Sequence, residues 1–145
     1  MAIGIGHINY MNFEDIIIGL ETKNIPCVFS KDDVRVFGNL SGDHNPLHND
    51  ENYAKSKGFE KPIVYGILLA SKFSFLVGMV IPGENSLYIS QELRFRKPIF
   101  VGEKFSFKGT IINKSEATRI IEIKTEIYNS KGDLAVSGKA LVKII

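Results

Sequence analysis

Apolar and polar positions alternate most cleanly in the second half of the chain. Ile121, Ile123, Thr125 and Ile127 interleave with Glu122, Lys124 and Glu126, and Phe105 and Phe107 interleave with Ser106 and Lys108. A period of two puts such sets on one face of a strand. Leu134, Val136, Ala140, Val142 and Ile144 share a face of the last strand, and residues 87–95 read as a further one. Asn113-Lys114-Ser115-Glu116 and Asn129-Ser130-Lys131-Gly132-Asp133 read as hairpin connections. Ahead of these strands, Gly66 opens a run over 67–80 that is apolar on nearly every side, broken only by Ser71, Lys72 and Ser74 and ended by Pro82-Gly83. A helix of that kind is wrapped by other structure rather than laid on a surface.

The first half is less regular. Ile3, Ile5, Ile8, Phe13 and Ile16 to Ile18 predict irregular structure with one or two short strands. Ser30 reads as a helix N-cap, with Asp32 and Asp33 in the first turn and Val34, Phe37 and Leu40 on one apolar face. Asp50 to Lys57 reads as a second short helix, opened by acids, closed by lysines and stopped by Gly58. Antiparallel strands following one buried helix imply a curved sheet wrapped around it. The expected class is α+β, in a single domain over residues 1–145 with a long central apolar helix.

Composition narrows the function classes. At 145 residues, with 44% hydrophobic and 23% charged positions, the chain has the make-up of one globular domain with a real core. A net charge of +2 with scattered Lys and Arg gives no basic stripe for nucleic acid. The single Cys27 cannot form an internal disulfide, which points to a reducing compartment, and its apolar neighbours predict a packed structural thiol. No basic region precedes an apolar stretch at the start, and residues 67–81 are too short and interrupted to span a bilayer. The expectation is a cytoplasmic protein with no membrane segment. His7 belongs to no constellation and reads as a surface or structural residue.

Ser41-Gly42-Asp43-His44-Asn45-Pro46-Leu47-His48 is the densest chemistry in the chain. Gly42 and Asn45-Pro46 make it a loop, because glycine permits left-handed angles and a residue before proline is pushed out of the helical region. Asp43 and His48 are both able to move protons, and Pro46 stiffens the backbone between them. Taken alone, Asp43 and Asn45 also suit plain turn roles. Ser41 has no nucleophile-elbow context, and three histidines without matching acids make no metal site.

Residues 37–48, together with Pro62-Ile63-Val64-Tyr65-Gly66-Ile67-Leu68 and Phe95-Arg96-Lys97-Pro98-Ile99-Phe100-Val101-Gly102-Glu103, resemble the MaoC-like (R)-specific enoyl-CoA hydratases, which have a hotdog fold. The family pattern Ser-Gly-Asp-x-Asn-Pro-x-His is matched at each fixed position, and the likeness runs from about Ile17 onward. The resemblance implies (R)-specific hydration of trans-2-enoyl thioesters, or the reverse dehydration, with syn addition across the double bond. It implies that Asp43 and His48 hold the catalytic water, that Asn45 orients it, and that the Gly66 N–H binds the thioester oxygen. His44 falls at a position the family treats as variable. Where family members often carry histidine before the helix-opening glycine, this chain has Tyr65, which leaves any contact of that side chain open.

No cofactor is expected beyond the coenzyme A or phosphopantetheine arm of the substrate, an acyl-CoA or acyl-carrier-protein thioester. Arg94, Arg96, Lys97, Lys104 and Lys108 are candidates for its phosphates. The resemblance also implies a homodimer with joined sheets and the site at the interface. Two other classes compete. A hotdog thioesterase would need a carboxylate on or near the central helix, and residues 67–80 contain none. A non-catalytic acyl-thioester-binding module would have no need of a water-activating pair.

Overall fold

The alternating stretches become a five-stranded sheet in a computed structural model that describes residues 7–145. The strands are β1 (Ile25–Val28), β2 (Ser86–Phe95), β3 (Lys104–Ser115), β4 (Ile120–Tyr128) and β5 (Leu134–Ile144). They pair antiparallel throughout, in the order β1-β3-β4-β5-β2. On β3 and β4 the apolar set Phe105, Phe107, Ile111, Ile121, Ile123 and Ile127 is buried, as the period of two requires. Thr125 shares that face and is fully buried, its hydroxyl accepting a 2.9 Å hydrogen bond from Gln91 Nε2 on β2.

Among the described residues three α-helices precede or interrupt this sheet: α1 (Lys31–Ser41), α2 (Glu51–Ser56) and α3 (Gly66–Phe75), the last continuing as a π-helical turn over Leu76–Val80. Leu68, Leu69, Phe73, Leu76, Val77 and Val80 are all buried. The helix lies close against the sheet because Gly109 on β3 has no side chain. A Cβ there would stand 2.9 Å from Leu76 Cδ2 and 3.0 Å from Ile123 Cγ2. Phe75 meets Phe107 edge-on at 6.1 Å between centroids. One core therefore joins the central helix to the sheet curved around it.

The short helices follow their end signals. Ser30 and Asp33 form a reciprocal capping box on α1, Asp50 caps α2 through the Tyr53 N–H, and Gly42 ends α1 at φ 79°. Some expectations need correction. Leu40 lies at helical spacing from Phe37 but is 84% exposed, so of that set only Val34 and Phe37 turn inward, beside the buried Gly38. Asn113 to Ser115 belong to β3 and not to a hairpin connection; they pair with β4 beyond a bulge at Ile112, and the turn comes later. Cys27 is only partly buried, on edge strand β1, packed against the core. His7 is exposed. Ile3 and Ile5 lie outside the described residues. Among the described residues no helix is long and apolar enough to cross a membrane.

Candidate active site

The loop after α1 is built by its own side chains. Asp43 Oδ1 accepts the Asn45 N–H at 3.0 Å, and Asn45 Oδ1 accepts the Leu47 N–H at 3.0 Å. Asn45 thereby caps a 3-10 turn over Pro46–His48, with proline at the position that needs no donor. Both carboxamide and carboxylate do turn work here, one oxygen each. Neither is buried: Asp43 and Asn45 are exposed, and the loop presents them outward.

His48 is placed differently. It is half-buried, and its Nδ1 lies 2.7 Å from the carbonyl oxygen of Ile63. A carbonyl only accepts, so Nδ1 carries a proton there and Nε2 is the ring position left for acid–base work. Ile63 is itself held from two sides. Its N–H donates to Leu47 O at 3.2 Å, and it bridges Phe100, while Val64 N–H donates to Ile99 O and Val101 N–H to Pro62 O. The segment before α3 thus ties the loop to the stretch before β3.

His48 and Gly66 line one cleft of about 380 Å³, whose walls are mostly apolar: Phe59, Ile63, Leu69, Phe95 and Ile99. No side chain caps α3, so the N–H groups of its first turn are left to donate at the cleft. The ring of Phe95 packs directly over Gly66. A Cβ on it would stand 2.7 Å from Phe95 Cε1. Arg96 and Lys97 also line the cleft, whereas Arg94 sits exposed on β2 and Lys104 exposed on β3. Arg96 Nε donates to Ser137 Oγ at 2.8 Å, and Lys97 pairs with Asp133 at 3.1 Å. Lys108 is held by Glu21 at 2.8 Å.

Of the residues singled out from sequence, His48, Gly66, Arg96 and Lys97 share the cleft. Asp43 and Asn45 do not line it. They are joined to it through Tyr65, whose phenol donates to the Asp43 carbonyl at 2.5 Å and whose ring lies 3.8 Å from that of His48. Burial, and then the nearby Asp43 carboxylate, push the Tyr65 phenol above its ordinary value, so it remains a donor. Phe95 and Ile99 belong to the third stretch that carries the family resemblance, whereas Phe59 had no sequence signal beyond being apolar. Among the described residues no cluster of His, Cys, Asp or Glu is arranged to hold a metal ion.

Comparison with known proteins settles the lineage. Residues 18–131 match the MaoC like domain. The chain belongs to the MaoC-like family. An (R)-specific enoyl-CoA hydratase of Aeromonas caviae is 42% identical over 116 residues, covering 80% of this chain and 87% of the relative. A 3-hydroxybutyryl-CoA dehydratase of Methylorubrum extorquens is 33% identical, covering 91% and 83%. The solved (R)-hydratase of A. caviae superposes with a TM-score of 0.88 at 38% identity, over 91% of this chain and 99% of that one. The MaoC-like chain thus has the hotdog fold of that hydratase.

Proposed function

We propose that this MaoC-like protein is an (R)-specific hydratase of trans-2-enoyl thioesters, also able to run the reverse dehydration of 3-hydroxyacyl thioesters. One observation carries the reading. A histidine whose tautomer is set by a carbonyl opens on the same apolar cleft as the uncapped start of a buried helix. An acid–base group and an anion-stabilising backbone facing one cavity are what the reaction needs.

In the proposed chemistry the thioester carbonyl lies at the Gly66 N–H, and the acyl chain follows the apolar walls. Asp43 and His48 hold a water between them, with the Asn45 amide orienting it. The water oxygen bonds to C3, the displaced proton passes to the pair, and a proton from the pair reaches C2 on the same face. Negative charge that develops on the thioester oxygen is held by the first turn of α3. Asp43 and His48 act as a coupled pair. The arm of coenzyme A or of a carrier protein belongs to the substrate, with Arg96 and Lys97 beside the cleft, and Arg94 further along β2, as its phosphate contacts. No further cofactor and no metal is needed. One domain over the whole chain carries the reaction, in a cytoplasmic homodimer. The thioesterase reading has no support, because α3 bears no carboxylate.

The test is a spectrophotometric assay on short- and medium-chain trans-2-enoyl-CoA, with wild type beside Asp43→Asn and His48→Gln. Wild type is expected to consume the enoyl chromophore and each folded variant to lose at least about a hundredfold in kcat. Undiminished turnover in both variants would overturn the assignment of the pair.

A further inference from the structure

We infer that Tyr65 is a positioning residue: it holds the Asp43 loop, the His48 ring and the start of α3 in one fixed arrangement. Its catalytic consequence rests on the hydratase reading, whereas its geometry does not. Tyr65 is 4% exposed, and a buried tyrosine needs an acceptor for its hydroxyl. The acceptor it uses is the main-chain carbonyl of Asp43, 22 residues earlier in the chain, at 2.5 Å. Its ring face covers the imidazole of His48, with centroids 3.8 Å apart and planes tilted by 30°. The other neighbour is Phe37 of α1, at 4.9 Å. Tyr65 is also the N-cap residue of α3, directly before Gly66.

Each contact limits a different freedom. The hydroxyl pins the peptide that carries Asp43, just beyond the left-handed Gly42. The stacked ring opposes rotation of the imidazole, and so keeps Nδ1 on Ile63 O. The backbone of Tyr65 sets where the first N–H groups of α3 begin.

Space for the phenol is made on α1. Gly38 is the residue facing it, and a Cβ there would stand 2.9 Å from Tyr65 Oη and 3.1 Å from Asp43 O. An α-helix interior gains nothing from glycine by propensity. Its presence at this contact is explained by the approach of the hydroxyl to the loop. A tyrosine that merely filled the core would need neither the acceptor on the acid's own peptide nor the stack on the proposed base.

The experiment compares Tyr65→Phe, which keeps the stack and removes the hydrogen bond, with Tyr65→Leu, which removes both. Gly38→Ala crowds the same contact from the opposite side, should Tyr65→Leu fail to fold. For Tyr65→Phe, kcat on an enoyl-CoA is expected to fall at least about tenfold while KM stays within about twofold. Tyr65→Leu is expected to lose more and to change the acid limb of the kcat/KM pH profile. Long-range ¹H–¹⁵N spectra of His48 are expected to show the Nδ1–H tautomer in wild type and a mixture in Tyr65→Leu. Unchanged kcat and pH profile in folded variants of an active enzyme overturn the positioning role. If wild type converts no enoyl thioester, the hydratase reading fails by itself. An unaltered His48 tautomer and titration in Tyr65→Leu, or in Gly38→Ala if that is the variant that folds, then overturns the role of Tyr65 as well.

Discussion

Glu103 joins two loops beside the candidate site with both carboxylate oxygens. Oε1 accepts the Phe100 N–H at 3.1 Å, and Oε2 accepts the Ser130 N–H at 3.0 Å and its hydroxyl at 2.8 Å. Burial alone would raise the carboxyl, but these donors outweigh it and hold it below its ordinary 4.5. A depressed folded value means that the charged form adds stability above the unfolded value and loses it as pH falls through the folded one. Glu103→Gln is therefore expected to cost about 1–2 kcal/mol at neutral pH, since its amide sets donors against donors. The gap to wild type closes as pH drops below 4.5 and through the folded value. Urea unfolding of both proteins, from neutrality into the acid range, checks this; a gap that persists in acid contradicts it. At this scale the sequence displayed the residues of the loop but not their division of labour. His48 stood out as chemistry, and the Asx turn at Asp43 was legible as an alternative role. The position of Tyr65 could not be read, because a phenol reaching a carbonyl 22 residues away depends on where α1 and α3 pack. Leu40 misled for the complementary reason: spacing from Phe37 assigns a face, but only neighbouring elements decide whether that face is covered.

Elements were legible where pattern and punctuation agree. Ser30, Asp50 and Gly66 mark helix starts through side-chain or backbone chemistry confined to a few residues, and those starts appear where expected. β3 is longer than its pattern indicated, because Asn113 to Ser115 have turn-forming side chains yet their backbone pairs with Ile120 to Glu122. A bulge shifts the alternation there and hides the continuation from a period-two reading. Glycines inside strands mark close approaches of the same hidden kind. Gly138 on β5 pairs with Leu93 of β2, and a Cβ on it would fall 1.9 Å from Glu92 O and 2.7 Å from Gln91 Nε2. Backbone is in the way, and neither strand can yield without breaking its ladder. Gly138→Ala is expected to destabilise the fold by at least about 3 kcal/mol, read as an earlier urea midpoint. Gly132→Ala, with open space around it, supplies the comparison, where only the positive φ of 82° is strained.

At the scale of the whole molecule the sheet has two unequal edges. On the β1 side, the four residues of β1 include Pro26, and the chain before it covers the rest of β3 through Gly19 N–H to Ile111 O and Thr22 N–H to Gly109 O. Such an edge is guarded. On the other side, β2 runs for ten residues with no neighbour beyond it among the described residues, and Leu87, Ile89 and Phe95 along it are about half exposed. A long apolar edge of this kind favours pairing with another strand, and a second copy of β2 related by a two-fold axis satisfies it on both sides. The same edge ends at Phe95 and Arg96, which line the cleft holding His48 and Gly66. Joining two sheets there would bring the partner's surface to the mouth of that cleft. The proposed homodimer is thus expected to sediment at twice the 16.2 kDa chain mass at micromolar concentration. Charges placed in the edge by a Leu87→Glu/Ile89→Glu variant are expected to raise the dissociation constant at least about tenfold and to lower hydratase turnover in step with the dimer fraction. A wild type that sediments as a monomer at full activity would rule out the joined sheet, and a monomeric variant with undiminished turnover would show that each copy completes its own site.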